Sequence, residues 1–347
     1  MDMNNITLAF IYNIRHNYPD PHNAQTQLEA DFDDPETIKA IITHLKICGY
    51  TVLPIEANEE AYLKLYKNKN KIDLAFNFSE GIYGKDREAQ IPAMLEMLQI
   101  PYIGSPPLSQ ALMLDKAKTK EILIANNIPT LPFQLFKTGK ETLNPHLTFP
   151  LIVKPDSEGS GAGITNKSVV YNYKNLKRQI SFIHKTFHQP ALVEPFLTGQ
   201  EFSIAMIGNP PKILPFISPN HKMLPKGYVH LDSLEVKWVF EEQSSNENYL
   251  VCPAKVNKIL ENKLKKICLD LWDALNIRDW CRIDIRCDEK NQPYVLEINS
   301  PPGLLPPEIS TTSYFPLAAR VAGIEYRPLL SLLISTALKR YGIKNLI

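Results

Sequence analysis

Apolar runs and helical segments alternate regularly along the first third of the chain. The pattern predicts strands at 6–12, 50–55 and 72–78 and helices at 35–48, 59–66 and 87–98. Pro35 lies in the first turn of the first helix and Gly49 directly follows its end, as helix termini favour. This β-α-β-α-β order predicts a parallel sheet with helices on its faces.

The remainder of the chain predicts a mixed α+β arrangement. Residues 209–250 are rich in proline and polar residues and predict long loops with short strands. Residues 256–276 form an amphipathic helix with leucine and isoleucine on one stripe. The other predicted elements are helices 115–127, 176–186 and 329–341, strands 132–136, 150–154, 163–170, 191–196 and 201–207, and a hairpin over 281–299.

The hairpin CRIDIRCDEKNQPYVLEINSPPG carries the most informative pattern. If its strands pair antiparallel around the polar turn, Asp284 lies opposite Glu297 and Arg282 lies opposite Asn299. Strand alternation then places these four side chains on one face. Four apolar side chains would occupy the other face and suit a core: Ile283, Ile285, Leu296 and Ile298.

Two directly opposed carboxylates repel each other, and a divalent cation between them would remove that repulsion. Oxygen ligands from Asp284, Glu297 and Asn299 suit Mg²⁺ or Mn²⁺, with substrate phosphates completing the shell. Arg282 is then placed to hold a phosphate or a developing oxyanion. The hairpin alone also fits a solvated polar face at a sheet edge.

The segment FPLIVKPDSEGSGAGI predicts a phosphate site. Lys154 interrupts an apolar strand, where a lysine is rarely buried without a partner. The loop that follows contains Gly159, Ser160, Gly161 and Gly163, whose backbone N–H groups can approach phosphate oxygens closely. A flexible hairpin tip explains the loop equally well when it is considered alone.

Other charged residues add candidates. Glu194, at the end of an apolar strand, and Glu201, after a tight turn, could bind the amino group of an adenine and the hydroxyls of a ribose. Lys116 is a second candidate cation. Exposed acids and a lysine on a solvated helix face explain the same residues without a ligand.

Composition narrows the class of protein. The net charge is +1, which favours neither nucleic acid nor an anionic membrane as a partner. The start of the chain lacks the features of a signal peptide, no apolar run is long enough to span a bilayer, and the five cysteines form no metal motif. We therefore expect a cytoplasmic protein with reduced thiols.

Five segments together resemble the D-alanine–D-alanine ligase family of ATP-grasp enzymes, in the family's order and spacing. They are IPYIGSPPLSQALMLDKAKTK, FPLIVKPDSEGSGAGI, LVEPFLTGQEF, CRIDIR and PYVLEINSPPG. The resemblance implies a Rossmann-like N-terminal βαβ domain over 1–105, a central ATP-grasp lobe over 106–190, and a C-terminal ATP-grasp lobe with the metal site over 191–347.

The resemblance also implies roles for individual residues. Lys116 and Lys154 correspond to phosphate-binding lysines, Ser160 to the residue that closes over the phosphates, and Lys237 to a loop lysine directed toward phosphate. The remaining correspondences are the adenine hinge Glu194, Phe196 and Leu197, the ribose ligand Glu201, the metal ligands Asp284, Glu297 and Asn299, and the oxyanion groups Arg282 and Gly303.

The substrate half departs from the family pattern. The family's acidic EHxxS-like segment is replaced by NIRHNYPDPHN, and its HGxxGEDG segment is replaced by SEGIYGKDRE, with Glu80 at the histidine's place. Glu308 stands near the place of a serine that binds the second substrate's carboxylate. Two acids in this half predict a substrate with a cationic or neutral end, unless Glu308 points to solvent.

The prediction is an ATP-dependent ligase that joins an amino acid or related carboxylate to an amine through an acyl-phosphate. Its expected cofactors are ATP and Mg²⁺ or Mn²⁺, its expected partners are small molecules, and a homodimer stays open. A kinase-type phosphotransferase and a non-catalytic nucleotide-binding regulator are the alternatives. Intact metal ligands argue against the regulator, which has no need of them.

Overall fold

The computed structural model describes residues 6–20, 22–240 and 249–343. The chain begins with a parallel sheet of four strands in the order β2-β1-β3-β4, which confirms the predicted parallel arrangement. The strands are β1 (Thr7–Tyr12), β2 (Thr51–Glu56), β3 (Leu74–Phe78) and β4 (Tyr102–Ile103). Helices α1 (Pro35–Ile47), α2 (Ala61–Asn68) and α3 (Gln90–Leu98) connect them.

A four-stranded antiparallel sheet in the order β5-β8-β6-β7 forms the second layer. Its strands are β5 (Gln134–Phe136), β6 (Leu151–Pro155), β7 (Val169–Val170) and β8 (Ala191–Pro195). Helix α6 (Tyr173–Phe187) packs its apolar side against this sheet. Helices α4 (Pro107–Leu114) and α5 (Lys116–Ala125) precede it, and the Asp115 carboxylate caps α5 by accepting from the Lys118 N–H at 2.8 Å.

A second antiparallel sheet, in the order β10-β9-β13-β14, carries the predicted hairpin. Its strands are β9 (Glu201–Ile207), β10 (Lys212–Ile213), β13 (Trp280–Cys287) and β14 (Pro293–Asn299). Helix α7 (Lys258–Ala274) covers its apolar face through the predicted leucine and isoleucine stripe. The short strands β11 (Ser218–Pro219) and β12 (Leu250–Val251) pair beside it, as the irregular composition of this region predicted; residues 241–248 lie outside the described residues.

The chain ends with α8 (Tyr314–Val321) and α9 (Tyr326–Arg340). Both helices contribute buried side chains to the core that includes β1 and β3. Over the described residues, no single helix is long and apolar enough to cross a membrane; α8 and α9 pass that test only as a pair bent by 100°.

Two expectations change. Residues 163–170 form a strand only at Val169–Val170, because Asn166–Ser168 make a 3-10 turn capped by the Thr165 side chain. Strand β8 begins just after the expected lobe boundary at residue 190, yet it pairs with β5 and β6 of the central sheet. The domain division stays a prediction, and this pairing favours a boundary after Pro195.

Candidate active site

Two adjoining hollows form the candidate site: one lies between the two antiparallel sheets, and the other also reaches residues of the N-terminal sheet. The inner pocket is lined by β6, β8 and β13 residues, including Lys154, Glu194 and Asp284. The main cavity has a volume of about 680 Å³ and is lined by residues from all parts of the fold, including Lys116 and Arg282. Lys237 and Glu297 line both hollows, so the boundary between them lies at the hairpin.

The hairpin has the predicted register at its functional end. Arg282 pairs with Asn299 and Asp284 pairs with Glu297. The expectation for Leu296 was wrong, because a β-bulge after Asp284 places Val295 opposite Ile285. Val295 therefore fills the core, and Leu296 lines the inner pocket.

The Asp284 carboxylate is surrounded by donors. It accepts from Ser203 Oγ at 2.6 Å, from Asn299 Nδ2 at 3.0 Å and from Arg282 Nη2 at 2.8 Å. The Arg282 guanidinium also lies over the Tyr314 ring, 5.2 Å from its centroid. Arg282 thus faces the main cavity while it neutralises Asp284, so the repulsion between the two carboxylates is weaker than the sequence suggested.

The oxygen atoms on this face suit a hard divalent cation. The Glu297 carboxylate makes no hydrogen bond with the described residues, and its nearest cation is Lys116 Nζ at 3.9 Å. Asn299 donates through Nδ2, and its amide oxygen accepts no hydrogen bond from the described residues. Over the described residues no cluster of three or more His, Cys, Asp or Glu side chains could hold a metal, so this set would need substrate phosphates or water to complete a shell.

A buried ion cluster lies at the back of the inner pocket. Glu194, 1 % exposed, bridges Lys154 Nζ at 2.7 Å and Lys120 Nζ at 2.6 Å. Burial opposes ionisation of this carboxyl, but the two ammonium groups lower the pKa of Glu194 to about 2. Lys154 therefore has a buried partner, and Lys120 joins a cluster that sequence reasoning missed.

The rim of the inner pocket contains the other expected nucleotide residues. Glu201 pairs with Arg286 Nη1 at 3.2 Å, and the Phe196 ring lies 5.3 Å from the Arg286 guanidinium carbon. Burial raises the pKa of Glu201 to about 7 despite this arginine. Leu197 lines the same pocket, so the structure brings together all of the residues expected around a nucleoside. Arg286 was missed, although it is an arginine within an apolar strand.

Only part of the glycine-rich loop lines the main cavity, and the rest packs against the protein. Ser160 lines the main cavity with φ 45°, a left-handed conformation that is uncommon outside glycine. Gly163 does not face the cavity as expected: its N–H donates to Gln27 Oε1 at 3.1 Å, and a Cβ there would lie 2.5 Å from Pro155 Cγ. Lys116 Nζ donates to the Glu158 carbonyl of the same loop.

Lys237 and Gly303 both line the main cavity. Lys237, in a π-helical turn at Val236–Phe240, pairs with Asp232 Oδ2 at 3.6 Å. Burial lowers the pKa of Lys237, but the neighbouring Asp232 outweighs it and the net direction is upward. The Gly303 N–H makes no hydrogen bond with any residue that the structure describes, so it is available to a ligand.

The two acids expected in the substrate half, Glu80 and Glu308, lie in different places. Glu80 lines the main cavity, as expected, but Glu308 does not. The Glu308 side chain is 50 % exposed and accepts from His44 Nε2 at 2.7 Å, which favours the solvent-facing interpretation. Proximity in sequence to the NSPPG segment misled the assignment, because the loop turns toward α1 at that point.

Three carboxyl groups instead lie near one another in the lining of the main cavity, where Glu80 interacts electrostatically with the other two. Asp33, Glu80 and Glu88 line it, and their carboxylates form no hydrogen bond or ion pair within the described ranges. Burial is the main cause that raises the pKa of Asp33 to about 7, of Glu88 to about 8, and of Glu80 well above its usual range. Asp33 and Glu88 were not predicted, since only the tertiary fold brings their segments together.

Comparisons with known proteins identify the relatives of this chain. A family model described as D-ala D-ala ligase C-terminus matches residues 122–335, more than half of the chain. An uncharacterised protein of Sinorhizobium fredii is 33 % identical over 87 % of both chains. A D-alanine–D-alanine ligase of Pelotomaculum thermopropionicum is 30 % identical over 89 % of this chain and 93 % of its own.

The fold is also similar to solved structures. The crystal structure of the D-alanine–D-alanine ligase from Bacillus anthracis superposes with a TM-score of 0.71 at 25 % identity, covering 97 % of this chain and 99 % of the other. The four-stranded parallel sheet and the paired antiparallel sheets are therefore an ATP-grasp fold with its N-terminal domain. The chain belongs to the D-alanine–D-alanine ligase family, and with it to the ATP-grasp ligases that form carbon–nitrogen bonds.

Proposed function

We propose that this protein uses ATP to activate a substrate carboxylate as an acyl-phosphate, which an amine then converts to an amide. The observation that carries the proposal is the placement of Asp284, Glu297 and Asn299 on one hairpin face, where the inner pocket meets the main cavity. A nucleoside in the inner pocket would direct its phosphates to that boundary. A related ligase from Bacillus anthracis, similar in fold, has been crystallised with ATP.

The first step needs positive charge around the transferred phosphoryl group. Lys116, Lys154 and Lys237 converge on the hairpin and would offset the charge of the triphosphate. Asp284, Glu297 and Asn299 fit Mg²⁺, which when bound neutralises the phosphate oxygens that these lysines do not reach. Ser160, at the tip of the glycine-rich loop, lies where a loop residue would cover the phosphates.

The second step needs donors for the oxyanion that forms when the amine attacks. Arg282 and the Gly303 N–H both face the main cavity, and the guanidinium is already fixed by Asp284 and Tyr314. Preorganised donors of this kind stabilise a tetrahedral intermediate without further rearrangement. The route requires no side-chain nucleophile.

We propose further that one substrate carries a cationic group that binds near Glu80. Asp33 and Glu88 lie in the same wall of the main cavity, and together the three offer only acceptors once ionised. An ammonium or guanidinium group would satisfy them, whereas a free carboxylate would meet like charge at short range. Efficient, saturable synthesis of D-alanyl-D-alanine by the wild-type protein would contradict this proposal.

Glu80→Gln is expected to raise KM for the cationic substrate about tenfold or more, since hydrogen bonds to charged groups are the strong ones. A screen of amino acids and amines, scored by coupled product, identifies that substrate in the wild type. Glu308→Gln is the matched control and should leave KM unchanged, because Glu308 contacts His44 outside the cavity. Equal effects of the two substitutions would show that neither acid binds substrate.

The same cavity predicts a pH dependence. Asp33 and Glu88 have raised pKa values, about 7 and about 8, so both are largely neutral at pH 6 and become anionic as the pH rises. Affinity for the cationic substrate should therefore increase between pH 6 and 9, as long as the substrate itself stays protonated. Calorimetric titration across that range measures it, and Glu88→Gln should flatten the profile.

We also infer that the substrates are small molecules and that no nucleic acid binds. The five free thiols indicate that the protein works under reducing conditions, such as those of the cytoplasm. A homodimer is supported by exposed apolar side chains on the adjacent helices α2 and α3: Tyr62, Leu63, Tyr66 and Met97. Light scattering coupled to size exclusion measures the assembly directly.

A further inference from the structure

Lys120 is among the largest fully buried side chains of the described residues, with 1 % of its surface exposed. It lies on α5, one turn after Lys116, and its ammonium group contacts Glu194 Oε2 at 2.6 Å and Thr130 Oγ1 at 2.9 Å. Burying an ammonium group costs several kcal/mol unless partners compensate for its lost hydration.

The acidic partner of Lys120 lies in the inner pocket. Glu194 is the last acid before the segment Pro195–Leu197, which lines the pocket beside it. Its two oxygens are bound by one lysine each, and a carboxylate has about four acceptor sites, so further acceptor capacity remains toward the pocket. Lys154, by contrast, also interacts electrostatically with Glu297 of the hairpin, and so connects the buried ion cluster to the proposed phosphate-binding region.

Lys154 and Lys120 therefore differ in their surroundings. Lys154 lines the inner pocket and also lies near Glu297, so it is accessible to a phosphate group there. Lys120 has no surface facing either hollow, so its contact with Glu194 persists. Burial lowers the pKa of Lys120 and the ion pair with Glu194 opposes that shift, which couples the charge of each group to the other.

We propose that Lys120 is a positioning residue that fixes Glu194 as a hydrogen-bond acceptor and thereby selects nucleotides whose base presents an amino group there. Adenine offers a 6-amino donor, whereas guanine offers a carbonyl oxygen at the same position, which would face the Glu194 carboxylate. This inference rests on the proposed binding of ATP in the inner pocket. It adds the residue that makes the pocket specific for the base.

The test measures affinity for the non-hydrolysable analogues of ATP and GTP with Mg²⁺ by calorimetry, so that no second substrate is needed. In Lys120→Met, affinity for the ATP analogue should fall about tenfold, while affinity for the GTP analogue stays level or rises. Lys118→Met is the control: Lys118 lies on the same helix, is exposed and pairs with Glu121. It should change neither affinity.

The double variant separates positioning from general destabilisation. If Lys120 acts through Glu194, the loss of base preference in Lys120→Met should not add to that in Glu194→Gln. An equal loss of affinity for both analogues, or an unchanged ratio between them, would overturn the proposal. If Lys120→Met does not fold, Lys120→Gln, which keeps one donor toward Glu194, should retain part of the base preference, and a ratio equal to wild type would also overturn it.

The two levels of inference fail differently. If wild-type protein binds neither analogue, the proposed nucleotide function is wrong. If wild type binds the ATP analogue and prefers it, yet Lys120→Met keeps that preference, only the role of Lys120 is wrong.

Discussion

Replacing Glu297 by glutamine is expected to lower turnover by roughly 100-fold or more, by analogy with the loss of one preorganised transition-state group. Glu297 lies at the boundary of the two hollows and, unlike Asp284, forms no salt bridge with an arginine among the described residues. An amide binds a divalent cation more weakly than a carboxylate does, so charge on the transferred phosphoryl group would lose its counterpart.

The fold should tolerate this change. The glutamate is partly exposed and its nearest cation is 3.9 Å away, so the free energy of unfolding should change by less than about 1 kcal/mol. Glu289→Gln, in the exposed turn of the same hairpin, is the matched control and should turn over normally. Near-normal turnover by Glu297→Gln at limiting Mg²⁺ would contradict the proposed role of the hairpin in binding the metal.

Replacing Lys154 by alanine is expected to weaken ATP binding by about 30-fold or more, because removing the charged partner of a buried phosphate typically costs about 2–5 kcal/mol of affinity. Lys154 is 4 % exposed and contacts Glu194 at 2.7 Å. Its removal takes one cation from the phosphate side and leaves Glu194 paired with Lys120 alone.

Calorimetry with an ATP analogue and Mg²⁺ measures the effect, and thermal unfolding reports separately on the fold. Lys167→Ala, an exposed lysine of the same lobe, should bind as wild type does. Unchanged affinity in Lys154→Ala would place the nucleotide elsewhere.

Local pairing explains why much of the site could be predicted from the sequence. A hairpin closes over a short turn, so few registers are possible, and alternation placed Asp284 and Glu297 on the same face in the register that the structure shows. The bulge that turns Leu296 into the inner pocket does not follow, because one inserted residue leaves no strong mark in a short apolar strand.

The site residues that could not be predicted from the sequence are those that only the tertiary fold brings together. Lys120 appears in sequence as one lysine among several on a helix, and only its packing against β8 shows that it is buried. Asp33 and Glu88 come from separate segments of the first third of the chain and come together only in the lining of the main cavity. Glu308 shows the opposite error, since it is close to site residues along the chain but points to His44 in space.

The most direct test of the proposed chemistry traces an isotopically labelled oxygen from the substrate carboxylate into inorganic phosphate. A carboxylate substrate labelled with ¹⁸O, found by the product screen, is incubated with ATP, Mg²⁺ and the amine, and the phosphate is analysed by mass. The acyl-phosphate route predicts ADP, one amide per ATP consumed, and one ¹⁸O atom carried from the carboxylate into each inorganic phosphate. AMP with pyrophosphate, a stable phosphorylated product without amide, or unlabelled phosphate would contradict it.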